Sequence, residues 1–402
     1  MKRSTGKNES IEKSVEKPVK KTIKKRTGWI VLAGTAMIAM TALLCFHPWN
    51  REENSGGTKL LYETAYPEFP AYPGEAKNWE DYDQYIQALV VWNEEIWSRW
   101  GLAEGCVGTV DELFTGTVQT FLSGSETENR IYSPVGVYTA LASATEWATD
   151  EDRQQILKLA AAENLKEMQA QAEVLLSACY CDDGQALSRV NSESLRKEDS
   201  TLALDASFDF QAALDGYFDK REKGVFSSPD GGTECMYLSR KYSGYYYEGT
   251  GFQAVCLEMI MGPGVGHVDR LWIVLPDEGS SVDSVLASDA FSAMQNDVKD
   301  YDKNQKQVIY LTIPRFAVSG ENDLEQGNIN LRQTAELTFD ERGCSMDGYA
   351  YITGNEDRSG IEVEVTIDRP FIFVLNGPAD IPLLAGVVNQ PGSGEISMNA
   401  AK

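Results

Sequence analysis

A chain of 402 residues, 42% of them apolar, can bury a sizeable core and has room for two or three domains. Its formal net charge of −25 argues against nucleic acid as a partner, and two histidines in all exclude a His-rich metal site. No calcium-type D-x-D-x-D-G loop and no P-loop occurs, so no metal or other cofactor is expected.

Charge is unevenly spread. The first 28 residues hold ten of the 36 Lys and Arg against three Glu, so the remainder carries 26 basic and 58 acidic side chains, a net of −32. Residues 29–46, WIVLAGTAMIAMTALLCF, contain no charge and no proline across 18 positions. That reaches the lower limit for a membrane-spanning helix. The basic tail before it places the amino terminus in the cytosol and everything after Phe46 outside the cell. The expected protein is therefore single-pass in the cell membrane, with residues 1–28 as a cytoplasmic tail and residues 29–46 as a signal anchor. A cleaved signal peptide is the alternative, disfavoured by the long tail and the lack of an A-x-A site before His47. Cys45 reads as a membrane residue, since Leu44 is bulkier than a lipidation site prefers. Six cysteines lie beyond the span, where disulfides are permitted, and sequence does not choose among their pairings.

Residues 47–80, centred on PEFPAYPGE, have the composition of an extended spacer, and the domain proper is expected over 81–402. From Asp81 to Trp100, Tyr85, Leu89, Trp92, Ile96 and Trp100 recur at helical spacing, which predicts a helix docked by that face. Val110 to Leu122 predicts a second amphipathic helix. In the next one Ser133 caps free amides while Pro134 occupies the first turn, where its missing N–H is not needed. Asp150 to Leu176 predicts one long helix or two, ending before a turn at Asp182, Asp183 and Gly184. From Thr201 onward strands dominate. Helices first and strands afterwards predict an α+β domain.

The segment from Thr338 to Phe371, TFDERGCSMDGYAYITGNEDRSGIEVEVTIDRPF, carries the strongest functional signal. After Gly343, the small or apolar residues Cys344, Met346, Gly348, Ala350, Ile352 and Gly354 alternate with the polar or amphipathic Ser345, Asp347, Tyr349, Tyr351, Thr353 and Asn355. Period two writes a half-buried strand. Asn355 to Gly360 then form a polar run typical of an exposed loop tip, so an ordinary hairpin with a long loop also fits.

This segment resembles the reactive loop of the serpins. Asp340, Glu341 and Gly343 stand where that family's hinge carries its acidic pair and glycine, and Asp368, Arg369, Pro370 and Phe371 match the strand after the loop. Pro382, Leu383, Gly386, Val387, Val388, Asn389 and Pro391 match the C-terminal signature. Further matches are NRIYSPVGVYTALA (129–142), TLALDASFDFQAALDGYFD (201–219), LWIVLPDE (271–278) and IYLTIPRFAVSGENDL (309–324). The resemblance spans roughly Val110 to Pro391. It implies a serpin-like α+β fold, N-terminal helices packed on mixed and antiparallel sheets, with an exposed reactive loop. It also implies inhibition of extracellular serine proteases by loop cleavage and strand insertion. A non-inhibitory surface module that kept the fold is the alternative.

Within that resemblance the hinge comprises Glu341, Gly343, Cys344 and Met346. The scissile bond falls after Asp357 counting from Gly343 and after Ser359 counting back from Phe371; Arg358 between them suits a trypsin-like pocket. Beneath the sheet opening, Ser133 together with Asp205 and Gln333 takes the shutter positions, the last two in place of the family's Asn and His. Leu214 stands for a family Trp, and Met346 and Asp347 are larger than the usual hinge alanines. Two helices and an edge strand of the largest sheet, which the family places between the DDG turn and Thr201, have no counterpart, and the chain is also short between Leu324 and Leu331, so the sheet that must accept the loop is expected to be reduced. Enzymatic activity is not expected: no G-x-S-x-G or H-E-x-x-H occurs, and His267, the one histidine beyond Cys45 other than His47, precedes an apolar strand as a structural histidine would.

Overall fold

The computed structural model describes residues 50–54, 57–61, 67–74, 79–183, 186–197, 201–261, 267–300, 306–341, 343–344 and 361–392. The expected anchor at 29–46 and the loop residues Met346, Asp357, Arg358 and Ser359 lie outside them.

The first two strands, β1 (Asn50–Asn54) and β2 (Gly57–Leu61), form an antiparallel hairpin. Over these residues the expected extended spacer is replaced by paired structure. Helix α1 (Trp79–Ala103) buries the predicted face, with Trp92 and Ile96 at its centre, and α2 (Val107–Leu122) follows. Two polar anchors fix α1: Arg99 donates to Ser177 Oγ at 3.0 Å, and Trp100 donates to the Ala178 carbonyl at 3.1 Å. A short β3 (Arg130–Tyr132) leads into α3 (Pro134–Ala144). Ser133 Oγ accepts from the Gly136 amide at 3.1 Å, and all eleven residues of α3 are buried, as expected of a helix apolar on every side.

The stretch from Asp150 forms two helices, α4 (Asp150–Leu159) and α5 (Leu165–Ala178). They separate at Ala161, whose φ is 51°, and restart at Asn164, whose side chain accepts from the Glu167 amide at 2.9 Å. Strand β4 (Cys181–Asp182) precedes β5 (Leu187–Arg196) and β6 (Leu202–Leu214). Then come β7 (Lys220–Ser228), β8 (Gly231–Gly244), β9 (Tyr246–Gly249), β10 (Phe252–Met261) and β11 (His267–Pro276). Two short helices, α6 (Val282–Leu286) and α7 (Asp289–Asp297), interrupt the strands. The rest are β12 (Gln307–Pro314), β13 (Phe316–Gln326), β14 (Ile329–Asp340), β15 (Gly343–Cys344), β16 (Glu362–Thr366), β17 (Phe371–Asn376) and β18 (Pro382–Val388).

Among the described residues, fourteen strands join one branched network, ordered β1-β2-β5-β6 and then through β10, β11, β17, β18 to β3. A four-stranded sheet, β16-β12-β8-β7, stands apart. The edge of β5 is covered by β2 in the register Thr58–Arg196 to Leu61–Glu193, so the N-terminal hairpin adds strands to the sheet that is expected from sequence to be reduced. Every residue of β17 and β18 is buried, and Phe316, Phe339, Phe371 and Phe373 interlock between the strands, Phe316 lying 5.1 Å from Phe339 and 5.2 Å from Phe371. The C-terminal end is tied down by Asn129, which accepts from the Asn389 and Gln390 amides at 2.8 and 2.9 Å. Cys106, Cys179, Cys181, Cys235 and Cys256 are free thiols, all buried.

Candidate functional site

The site is the junction between β6 and β14. From Leu202–Ile329 up to Phe208–Ala335 the two strands pair directly and in parallel. Above that row they part, and β15 occupies the space: Gly343 pairs with Ala213 and Asp340, Cys344 with Ala212 and Phe339. The start of the loop thus already lies as a strand between its neighbours. Gly343 is required there. Its φ is +120°, and a Cβ would stand 2.6 Å from the Leu214 amide nitrogen and 2.7 Å from the Ala212 carbonyl.

Glu341, at the turn between β14 and β15, is gripped from two sides. Arg221 of β7 reaches its carboxylate at 2.8 Å, and Arg315, between β12 and β13, forms a second ion pair. The turn between β14 and β15 is therefore joined to the small sheet and to the chain just before β13. Neither arginine was assigned a role from sequence, because both enter through tertiary folding rather than spacing.

The three shutter candidates do not converge. Ser133 and Gln333 are both fully buried beneath the sheet, where Ser133 is used as the cap of α3. Asp205 is exposed: it sits one residue off the inward phase of β6 and pairs with Arg332 of β14 on the outer face. Ala206, its neighbour, is the buried residue opposite Gln333. Gln333 meets Asn322 instead. Asn322 Nδ2 donates to the Ile131 carbonyl at 2.6 Å and approaches Gln333 Oε1 at 3.4 Å, while Gln333 Nε2 has no partner among the described residues. Asn322 lies within the stretch IYLTIPRFAVSGENDL, but nothing in its spacing marks it. Leu214 is buried at the top of β6.

Where β6 and β14 part, an open cleft of about 480 Å³ is lined on the outer face by Ser207, Asp209, Glu321, Thr334 and Glu336. Asp209 is paired with Arg189 of β5 at 2.7 Å.

Helices buried beneath a wide sheet, a second small sheet, and a loop that begins as a strand between two parallel strands together define the serpin fold. No family model matches this sequence, and no curated protein matches it. Solved structures do. A thermophilic serpin, tengpin, in its native state is 14% identical, with 72% of this chain and 94% of that one covered and a TM-score of 0.57. The Arabidopsis serpin AtSerpin1, in a native stressed conformation, is 14% identical over 72% of this chain and 98% of its own, with a TM-score of 0.54. Human thyroxine-binding globulin in complex with thyroxine is 15% identical over 73% of this chain and 99% of its own, again with a TM-score of 0.54. At these identities the likeness is one of fold.

Proposed function

We propose that this protein is a membrane-anchored, outward-facing inhibitor of serine proteases that works by loop cleavage and strand insertion. The observation that carries the reading is β15, whose two residues already pair with both β6 and β14. Continuing that register brings Met346 to Phe210 and Leu337, Gly348 to Phe208 and Ala335, Ala350 to Ala206 and Gln333, and Ile352 to Leu204 and Leu331. All of these partners except the half-buried Phe210 are buried. On insertion the small or apolar phase of the loop would therefore fall on the inward face.

A target protease would attack the loop in the region of Asp357, Arg358 and Ser359, its serine forming an ester with the new carboxyl end. The freed strand would then enter between β6 and β14 and carry the acylated protease with it, distorting the geometry that deacylation requires. Insertion adds a ladder on two sides and buries Met346 and Ile352, each contributing roughly 1.5 to 3 kcal/mol. The intact form would rest in a shallower minimum than the cleaved one.

A non-inhibitory reading draws on a different observation: the rows from Phe208–Ala335 downward are zipped, and human thyroxine-binding globulin, solved in complex with thyroxine, shares the fold. Incubation with trypsin separates the two. An inhibitor yields a complex stable in detergent, whereas a binding module yields only loop-cleaved protein. The membrane part of the proposal rests on residues 29–46, and extraction by detergent but not by high salt from whole membranes tests it.

A further inference from the structure

We infer that the outer face of α1 is a docking surface for a protein partner that presents an amphipathic helix flanked by lysine and arginine. The inference is independent of the loop and of its insertion. Among the described residues, seven of the twelve large hydrophobic side chains left exposed belong to this one helix. Five of them form a stripe. Trp79, Tyr82, Ile86, Val90 and Trp97 recur at intervals of three, four, four and seven, which at about 3.6 residues per turn brings them within about 80° of one another. Trp79 is 88% exposed and Trp97 58%. The stripe runs for about 27 Å along the helix, long enough to hold a partner helix of about five turns.

The stripe is not an unfinished part of the packing of α1 on its own domain. On the docked side Trp92 and Ile96 are buried, and the segment that precedes the helix lies over them. Trp92 Nε1 donates to the Pro67 carbonyl at 3.3 Å, Phe69 meets the Trp92 ring edge-on at 5.0 Å, and Tyr72 meets Tyr85 at 5.3 Å. The inner face is thus already covered by the core and by this strap. A second apolar face of helical period, left in water beside a completed one, is the mark of an interaction surface.

Charge selects the occupant. The sequence of α1 holds five acidic residues and one basic residue, Arg99, which is buried and paired with Glu95 at 2.7 Å. Glu80, Asp83 and Glu94 are exposed and follow the edge of the stripe that is turned away from the core. A second copy of the helix would bring this acidic edge no exposed cation in return. A lipid surface is met by none of the Lys and Arg that interfacial helices carry on their polar face. A partner helix with cationic flanks satisfies both features, the tryptophans filling its apolar face while the acids pair with its rim and steer its approach.

The test uses the full chain in phosphatidylcholine nanodiscs. The probe is a dye-labelled lysine–leucine amphipathic helix of about five turns, followed by fluorescence anisotropy against empty nanodiscs. Trp79→Ala and Trp97→Ala should each weaken binding about tenfold, the loss expected of an aromatic anchor. Both side chains are exposed, so the unfolding temperature should stay where it is. Asp83→Asn combined with Glu94→Gln should weaken binding about threefold, a difference that salt at about 0.5 M should erase. Val225→Ser, at an exposed valine of β7, controls for apolar surface elsewhere and should change nothing. The same peptide with glutamate for lysine should not bind. Absence of binding, or equal binding by wild type and the tryptophan variants, would overturn the inference, the second result marking a general attraction to an acidic domain. A dimer in sedimentation that Trp97→Ala dissolves would overturn it in favour of a second copy. Shielding of Trp79 and Trp97 from iodide in nanodiscs without peptide would overturn it in favour of lipid.

Discussion

Arg221 Nη1 lies 2.8 Å from Glu341 Oε1, joining the edge strand of the small sheet to the turn between β14 and β15. Arg315 binds the other oxygen of the same carboxylate, so one side chain holds three elements together. Glu341→Gln keeps the shape and removes the charge. Arg221 is more than half exposed, so the expected loss is modest, about 1 kcal/mol. A lower unfolding temperature of the intact protein, with faster amide exchange at Gly343 and Cys344, is the expected result.

Gly343→Ala tests whether β15 must begin where it does. A Cβ there meets backbone atoms of β6 at 2.6 and 2.7 Å, and the positive φ adds strain of about 1 to 3 kcal/mol. The relaxation open to the chain is withdrawal of β15 from between β6 and β14. The variant should lose amide protection at Cys344 and, if insertion starts from this register, form less detergent-stable complex with trypsin.

Gln333 is buried with an amide nitrogen that finds no partner among the described residues. Gln333→Met retains the volume and removes the orphaned donor, so intact protein should melt at an unchanged or higher temperature. Asn322→Leu acts in the opposite direction. It strips the Ile131 carbonyl of its 2.6 Å donor in a part-buried place and should lower stability by about 1 to 3 kcal/mol. Urea unfolding of the two variants gives the signs directly.

Burial pushes the Cys106 thiol up from an ordinary value of 9.0 to about 11, and likewise raises Cys179, Cys181, Cys235 and Cys256. Each folded-state value lies above the unfolded one, so below about 9 both states keep the proton and the thiols leave stability untouched. As pH rises from there through 11, the unfolded chain ionises first and stability falls. Cys106→Ala should flatten part of that alkaline decline in denaturant titrations. At neutral pH these five thiols should stay unreactive toward a thiol reagent until the protein is unfolded.

Sequence by itself determined the elements whose signals are local. Ser133 and Pro134 announce the start of α3, and the apolar stripe from Tyr85 to Trp100 announces the docked face of α1. The order of the matched segments also carried the fold. Tertiary structure alone decided what depends on register or on distant partners. Asp205 lies on the outer face because in a strand of period two a shift of one residue reverses every side chain, a distinction that composition cannot resolve. The Arg221–Glu341 and Arg189–Asp209 pairs, and the hairpin of residues 50–61 on the edge of β5, are bonds between elements that the chain brings together only after it has folded.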